Sequence, residues 1–309
     1  MLDWLRYFPL ALPTMHSLSH VRPKGPYFPK LRPQQWNLNG SKFGFKAPWS
    51  NSVYAVNEGR WAAESVSPGN TNVLATNLNF YSSSWMPNEH WQYHLFFSRK
   101  WYFVGPWFSG MRSWLSMTAC VIGQDHIRDF AKASFFHPKV FESAVADFLD
   151  SSYGCQKAGR KPLYCGPVNW KTIPISTTVN AALFDIHDIQ SNIDNPGLTR
   201  MVIFPVTNKR LIKIEFNYGG TRINEENYDA TPIFDLSDAI IETFRLETGS
   251  EMESQWNEVK AYCTDMSLSQ EFAPLRWPIK PEDVGTAEER PPHPNKSGHI
   301  EIGQIKAIK

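Results

Sequence analysis

From His90 to Phe97 the chain alternates with a period of two. His90, Gln92, His94 and Phe96 share one face, and Trp91, Tyr93, Leu95 and Phe97 share the other, as in a β-strand. Ser98-Arg99-Lys100 is expected to turn the chain into a second strand from Trp101 to Val104, and a third follows from Trp114 to Ile122. Upstream, Val53 to Val56 and Trp61 to Glu64 flank Asn57-Glu58-Gly59-Arg60, where Gly59 supplies the positive φ of a short hairpin loop.

Beyond residue 137 the period changes. Pro138 suits a first helical turn, and Phe141, Ala144, Val145, Phe148 and Leu149 recur at three and four residues, which predicts a helix over 138–150. The second half repeats the order. Strands are expected from Val179 to Ile186, Met201 to Val206 and Leu211 to Tyr218, the last two joined across Thr207-Asn208-Lys209. A helix over 236–247 would bury Leu236, Ile240, Ile241 and Phe244, with Asp235 or Ser237 as cap. A last helix begins at the capping box Ser250-Glu251-Met252-Glu253 and aligns Met252, Trp256, Val259 and Cys263.

Hairpins dominate and no strand-helix-strand alternation occurs, so the expected class is α+β. Antiparallel sheets would have helices packed on one face, in two similar β-β-β-α units without a residue-level repeat. The boundaries read as a proline-rich arm over 1–50, a first unit over 51–155, a second over 156–273 and a tail over 274–309. The arm, with Pro23, Pro26, Pro29, Pro33 and Pro48, is expected to lie extended and irregular on the body. The tail, rich in proline and charge from Pro274 to Ser297, cannot bury enough apolar surface to offset ordering entropy. Ile300, Ile302, Ile305 and Ile308 either add a strand or fray.

Composition narrows the function. With 309 residues the chain can bury a sizeable core. Thirty-one Lys and Arg against 30 Asp and Glu leave a net charge of +1, so no global field favours nucleic acid or an acidic membrane. The most apolar stretch, Trp101 to Gly123, is broken by Gly105, Pro106, Gly110 and Arg112 and does not read as a membrane span. Asp3, Pro9 and Pro13 interrupt the first apolar run, so no secretory leader is recognised and a cytoplasmic location is expected unless Cys155 and Cys165 are joined. That disulfide would close a short loop worth about 3 kcal/mol; the alternative is four free thiols, with Cys120 and Cys263 acting as small buried hydrophobes.

Several groups could carry chemistry. Cys165 lies near Arg160 and Lys161, which favour a thiolate, but no cysteine-protease signature surrounds it. Asp185 and His187 fall on one face of a strand, with Asp188 at its end, a pairing able to bind metal or position a base. His90 with His94, and His16 with His20, add imidazole pairs. Each group supplies only two local ligands, short of the three or four a metal needs, so capping and surface roles are preferred. The acidic run Asn224 to Asp229 lacks calcium-loop spacing. No phosphate-binding loop, nucleophile elbow or zinc-protease motif occurs, so no cofactor is expected.

Aromatic excess remains: 12 Trp, 11 Tyr and 20 Phe, dense from Phe80 to Leu115. One strand face cannot hide them all, so the sheet is either covered on both faces or meets a partner. Trp101, Phe103 and Trp114 fit core positions. Trp107 and Phe108 follow Gly105-Pro106 in a loop and form the candidate binding edge, with Trp101, Trp91 and Arg112 completing the set. The expected role is a non-catalytic protein-binding module, such as a bacterial immunity or accessory protein that binds a cognate effector. A cell-envelope or glycan hydrolase using Asp185, His187 and Asp188 or Cys165, and a carbohydrate-binding module stacking sugars on Trp107, are the rivals. The sequence leaves oligomeric state open.

Overall fold

The computed structural model describes residues 19–26, 31–51, 69–75, 91–106, 111–123, 133–153, 164–188, 197–220, 227–272 and 275–277. The expected hairpin at 53–64, Cys155, His16, His90 and the chain beyond 277 lie outside the described residues. The architecture is α+β with two sheets. The smaller holds β1 (Arg32–Leu38), β2 (Ser41–Ala47), β3 (Gly69–Asn72) and β10 (Arg245–Glu247), in the order β10-β2-β1-β3. The larger is antiparallel throughout, β11-β6-β7-β8-β9-β5-β4, from β4 (Gln92–Val104), β5 (Met111–Gly123), β6 (Tyr164–Pro174), β7 (Asn180–Asp188), β8 (Gly197–Thr207), β9 (Arg210–Gly219) and β11 (Leu275–Trp277). Three helices complete it: α1 (Pro138–Tyr153), α2 (Thr231–Ile241) and α3 (Ser250–Lys260).

Strands from both halves of the chain share the larger sheet, because β5 pairs with β9 along ten residues from Trp114↔Gly219 to Gly123↔Arg210. The alternation of β9 is visible in its burial: Ile212, Ile214, Phe216 and Tyr218 point to one side, with Leu211, Lys213, Glu215 and Asn217 on the other. The first side meets the smaller sheet. Phe43 lies 5.1 Å from Phe204, Trp36 lies 5.3 and 5.5 Å from Phe96 and Phe97, and Phe45 lies 5.1 Å from Phe97. Helices α2 and α3 join this cluster through Ile233, Leu236, Ile240, Met252 and Val259. The second side carries α1, whose Val140, Phe141, Ala144, Val145, Phe148 and Leu149 pack on Phe184, Met201, Ile203 and Leu211. The helices are thus divided between two faces.

Four local expectations change. Residues 32–47 of the arm form a hairpin around Asn39 and Gly40, both at positive φ (53° and 88°), the turn geometry that Asn-Gly supports. Ser98-Arg99-Lys100 does not turn. A bulge between Leu95 and Phe97 turns Phe96 and Phe97 to the same side and β4 continues for 13 residues, with Arg99 Nη1 donating to the Pro48 carbonyl at 3.0 Å. Helix α2 starts and ends earlier than predicted, with Pro232 in its first turn and neither Asp235 nor Ser237 as cap; Arg245 to Glu247 pair instead with β2. In α3 the N-cap is Gly249, Ser250 being the first helical residue. No helix among the described residues is long and apolar enough to cross a membrane.

Candidate protein-binding site

The aromatic segment singled out in the sequence becomes the β4–β5 hairpin, paired from Gln92↔Gly123 to Val104↔Met111. Trp107 and Phe108, in the loop between the strands, lie outside the described residues. The stem beneath that loop is rigid for identifiable reasons. Trp101, Phe103, Leu115 and Met117 are wholly buried against the smaller sheet's cluster, and Trp101 Nε1 donates to the Pro48 carbonyl at 3.1 Å. Asn51 clamps Tyr102 through both backbone groups, each at 2.8 Å. Lys24 exchanges two backbone hydrogen bonds with Val104, each 2.9 Å. Arg112 Nη2 meets His20 Nδ1 at 2.8 Å, and Ser113 bonds Tyr228, which lies just ahead of α2.

Trp101 and Trp91 are interior. Trp101 belongs to the inter-sheet core. Trp91 is 3% exposed, packs on Phe148 at 5.5 Å and donates from Nε1 to Asp147 at 2.8 Å, anchoring the start of β4 to α1. Both brace the hairpin from within, since their indoles face clusters that exclude solvent. Arg112 is 9% exposed and engaged with His20, while its Nε has no hydrogen-bond partner among the described residues.

The opposite face of the hairpin was not resolved by sequence alone. There Lys100, Ser116, Asn217 and Thr199 share one row across β4, β5, β9 and β8, and Ser98, Thr118 and Glu215 the next. All are half-buried. Thr199 Oγ1 donates to Asn217 Oδ1 at 2.8 Å, Asn217 Nδ2 donates to Glu215 Oε1 at 2.8 Å, and Lys213 Nζ reaches Glu215 Oε2 at 2.7 Å. Burial would raise the Glu215 carboxyl, but the Lys213 ammonium and the two donated hydrogen bonds outweigh it and hold Glu215 below the usual carboxylate range. Trp114, expected in the core, is half-buried at the end of this face, with the Lys100 ammonium 4.3 Å from its ring. Across from it, Gly219 leaves room for the indole: a Cβ there would meet Trp114 Cζ2 at 2.4 Å.

The alternative centre is differently built. Asp185 is 3% exposed, and its two oxygens accept from Arg200 Nε and Asn169 Nδ2, each at 2.9 Å; Arg200 Nη1 then reaches Asp238 on α2 at 2.6 Å. Asn169 attains this position at φ 56°, two residues beyond the cis Gly166-Pro167 bond. The carboxylate thereby ties β6, β7, β8 and α2 together. His187 Nε2 is buried without a hydrogen-bond partner among the described residues, and the side chains of Asp188 and Cys165 lie outside them. Burial pushes the Cys120 thiol up to about 11, so it stays protonated at neutral pH. Among the described residues no three His, Cys, Asp or Glu side chains converge as metal ligands. A cavity lined by Phe135, Phe141, Val179, Trp256, Met266 and Leu268 measures about 20 Å³, room for one water.

No family profile matches the chain, and no curated protein matches it. Among solved structures, the chain is similar to the apo structure of the immunity protein TplEi of T6SS from Pseudomonas aeruginosa. The identity is 10%, over 80% of this chain and 84% of that one, with a TM-score of 0.23. At that score the likeness establishes neither a common fold nor a common role.

Proposed function

We propose that this chain is a non-catalytic protein-binding module of the immunity or accessory type, which neutralises or carries a cognate effector and grips it through the β4–β5 hairpin. The observation that carries this reading is the construction of the hairpin. Its inner face is locked by Trp101 and Phe103, its loop end is braced by residues 20–24 and 228, and its outer face presents Trp114 and Lys100 at that same end, which leads to Trp107 and Phe108. A preorganised aromatic element of this kind loses little side-chain entropy on binding, which is the usual makeup of an interface hot spot. The engagement of both Asp185 oxygens by Arg200 and Asn169 favours a structural role for the group on which a hydrolase would depend.

The test is affinity capture from the native host with the tagged chain and with a Trp107→Ala/Phe108→Ala variant, followed by titration of the captured protein. The variant should keep the wild-type melting curve and bind at least about 30-fold more weakly, the scale of one hot spot of about 2 kcal/mol. Equal binding by a folded variant removes the hairpin loop from the interface.

A further inference from the structure

Trp49 is 52% exposed, the largest value for a large apolar side chain among the described residues. It lies at a corner of the smaller sheet, just after β2, and the hairpin reading makes no use of it. The backbone beneath it is fixed, because the Pro48 carbonyl accepts from both Arg99 Nη1 and Trp101 Nε1. Two guanidiniums lie over its ring, Arg32 at 4.9 Å and Arg99 at 5.6 Å. They differ in access. Arg99 is 6% exposed and donates inward, whereas Arg32, the first residue of β1, is exposed and has no ion-pair partner among the described residues.

A guanidinium resting on an indole keeps its in-plane N–H donors available while losing much of its rotamer freedom. It is therefore preorganised for a planar, bidentate acceptor, and a carboxylate is the protein group with that shape. The charge nearby has the matching sign. On the outer face of the same strands, opposite to the face of Arg32, Lys42 and Lys46 of β2 and Arg245 of β10 are exposed around the small residue Gly44, with the Glu247 carboxylate 3.9 Å from Lys42 and Glu242 exposed three residues before Arg245. In a chain of net charge +1 this is a local concentration of positive charge, whose field extends over roughly 10 Å at moderate salt.

We propose that the Arg32–Trp49 corner, backed by the basic outer face of the smaller sheet, is a docking site for a carboxylate-rich segment of a partner protein. Arg32 takes a carboxylate in bidentate fashion, Trp49 covers the adjoining apolar stem, and Lys46, paired with the residue next to Arg32, supplies attraction within reach of the corner. This adds the charge of the partner to the protein-binding reading and rests on it, but on residues the hairpin variants leave intact.

The probe is a fluorescein-labelled decaglutamate peptide, followed by anisotropy at low and physiological salt, with labelled decathymidylate as the nucleic-acid comparison. The wild-type chain should bind the peptide with an affinity that falls as salt rises. Arg32→Glu should weaken it about tenfold or more and Trp49→Ala about threefold, on the scale of one charged and one apolar contact, while Trp107→Ala/Phe108→Ala should bind as wild type does. Failure of the wild-type chain to bind the peptide at low salt, or identical binding by Arg32→Glu and Trp49→Ala, overturns the proposal and leaves the hairpin capture result untouched. Tighter binding of decathymidylate through the same two residues overturns it in favour of a nucleic-acid site.

Discussion

The two faces of the larger sheet are made from the same strands and solve different problems. Toward the smaller sheet the centre of the face is apolar and sealed: Trp101, Leu115, Met117, Ile212, Ile214, Phe216, Val202 and Phe204 are all wholly buried. Toward α1 the sheet is apolar only where the helix lies, over Phe184, Met201, Ile203 and Leu211; in the rows through Ser98, Lys100, Ser116 and Asn217 it becomes polar and half-exposed. A 16-residue helix is about 24 Å long and covers only a stripe of a seven-stranded sheet. The polar ladder from Lys213 to Thr199 lies where apolar side chains would otherwise meet water. The first face therefore holds the molecule together and the second leaves surface for contact.

The largest expected effect tests the sealed face. Phe43 stands between Phe45, Phe204 and Phe244, with centroids at 5.8, 5.1 and 5.5 Å. Phe43→Ala should cost about 3–5 kcal/mol through lost burial and the cavity left behind, read as the shift of a urea unfolding curve. A loss under about 1 kcal/mol would mean that the two sheets are not packed as one core.

Polar groups interrupt this face at His94, Arg99 and Ser113, and at its edge in the Asp185–Arg200–Asp238 chain. Asp185→Ala leaves Arg200, 18% exposed, with Asp238 as its remaining carboxylate. Because Arg200 reaches some solvent, the expected loss is about 2–3 kcal/mol, below that of a fully buried broken pair. A neutral result would return Asp185 to the list of groups free for chemistry.

What sequence reading could and could not see follows the same division. The period-two pattern of β9 and the three-four spacing of α1 are local and were legible to within a few residues. The misplaced end of α2 was not, because Phe244 and Leu246 continue an apolar pattern whose decisive partner, β2, lies 200 residues away. Prolines in the arm likewise obscured the Asn39-Gly40 hairpin signal, although Pro33 sits harmlessly opposite exposed Lys46. At the site, the aromatic wealth of 91–115 and the core position of Trp101 were evident, but Trp114 faces outward because the pairing sets it opposite Tyr102, one residue out of step with Trp101, a register that no pattern of types announces. Asn169, Arg200 and Asp238 were missed because three separate elements bring them to Asp185.

Acid should act in two stages. Burial lowers the pKa of His94 and His137, so the unfolded chain binds protons more readily and stability falls as pH drops below the ordinary histidine value of about 6.5. Glu215 is held low, so its contribution is present above the ordinary glutamate value of about 4.3 and is lost as pH falls through its lower folded value. Glu215→Gln should cost about 1–2 kcal/mol at neutral pH, the pair being 16% and 18% exposed, and should flatten the second stage alone. His137→Gln should reduce the first stage. Denaturant midpoints from about pH 7 to 3 would separate the two; a single unchanged slope in both variants would show that neither group is linked to folding.

The smallest effect on stability should come from Gly219→Ala, and it sharpens the comparison most. The new Cβ would fall 2.4 Å from Trp114 Cζ2 and 2.6 Å from Cε2, contacts that force the indole to move. On the sealed face such a clash would cost about 1–3 kcal/mol. Here Trp114 is half-buried and can swing toward solvent, away from Lys100, so the cost should stay within about 1 kcal/mol. The assigned Trp114 indole N–H resonance should nevertheless shift, and partner capture should weaken if the outer face of the hairpin is part of the grip. A large loss of stability without movement of that resonance would place Trp114 in a rigid core, leaving the two faces alike.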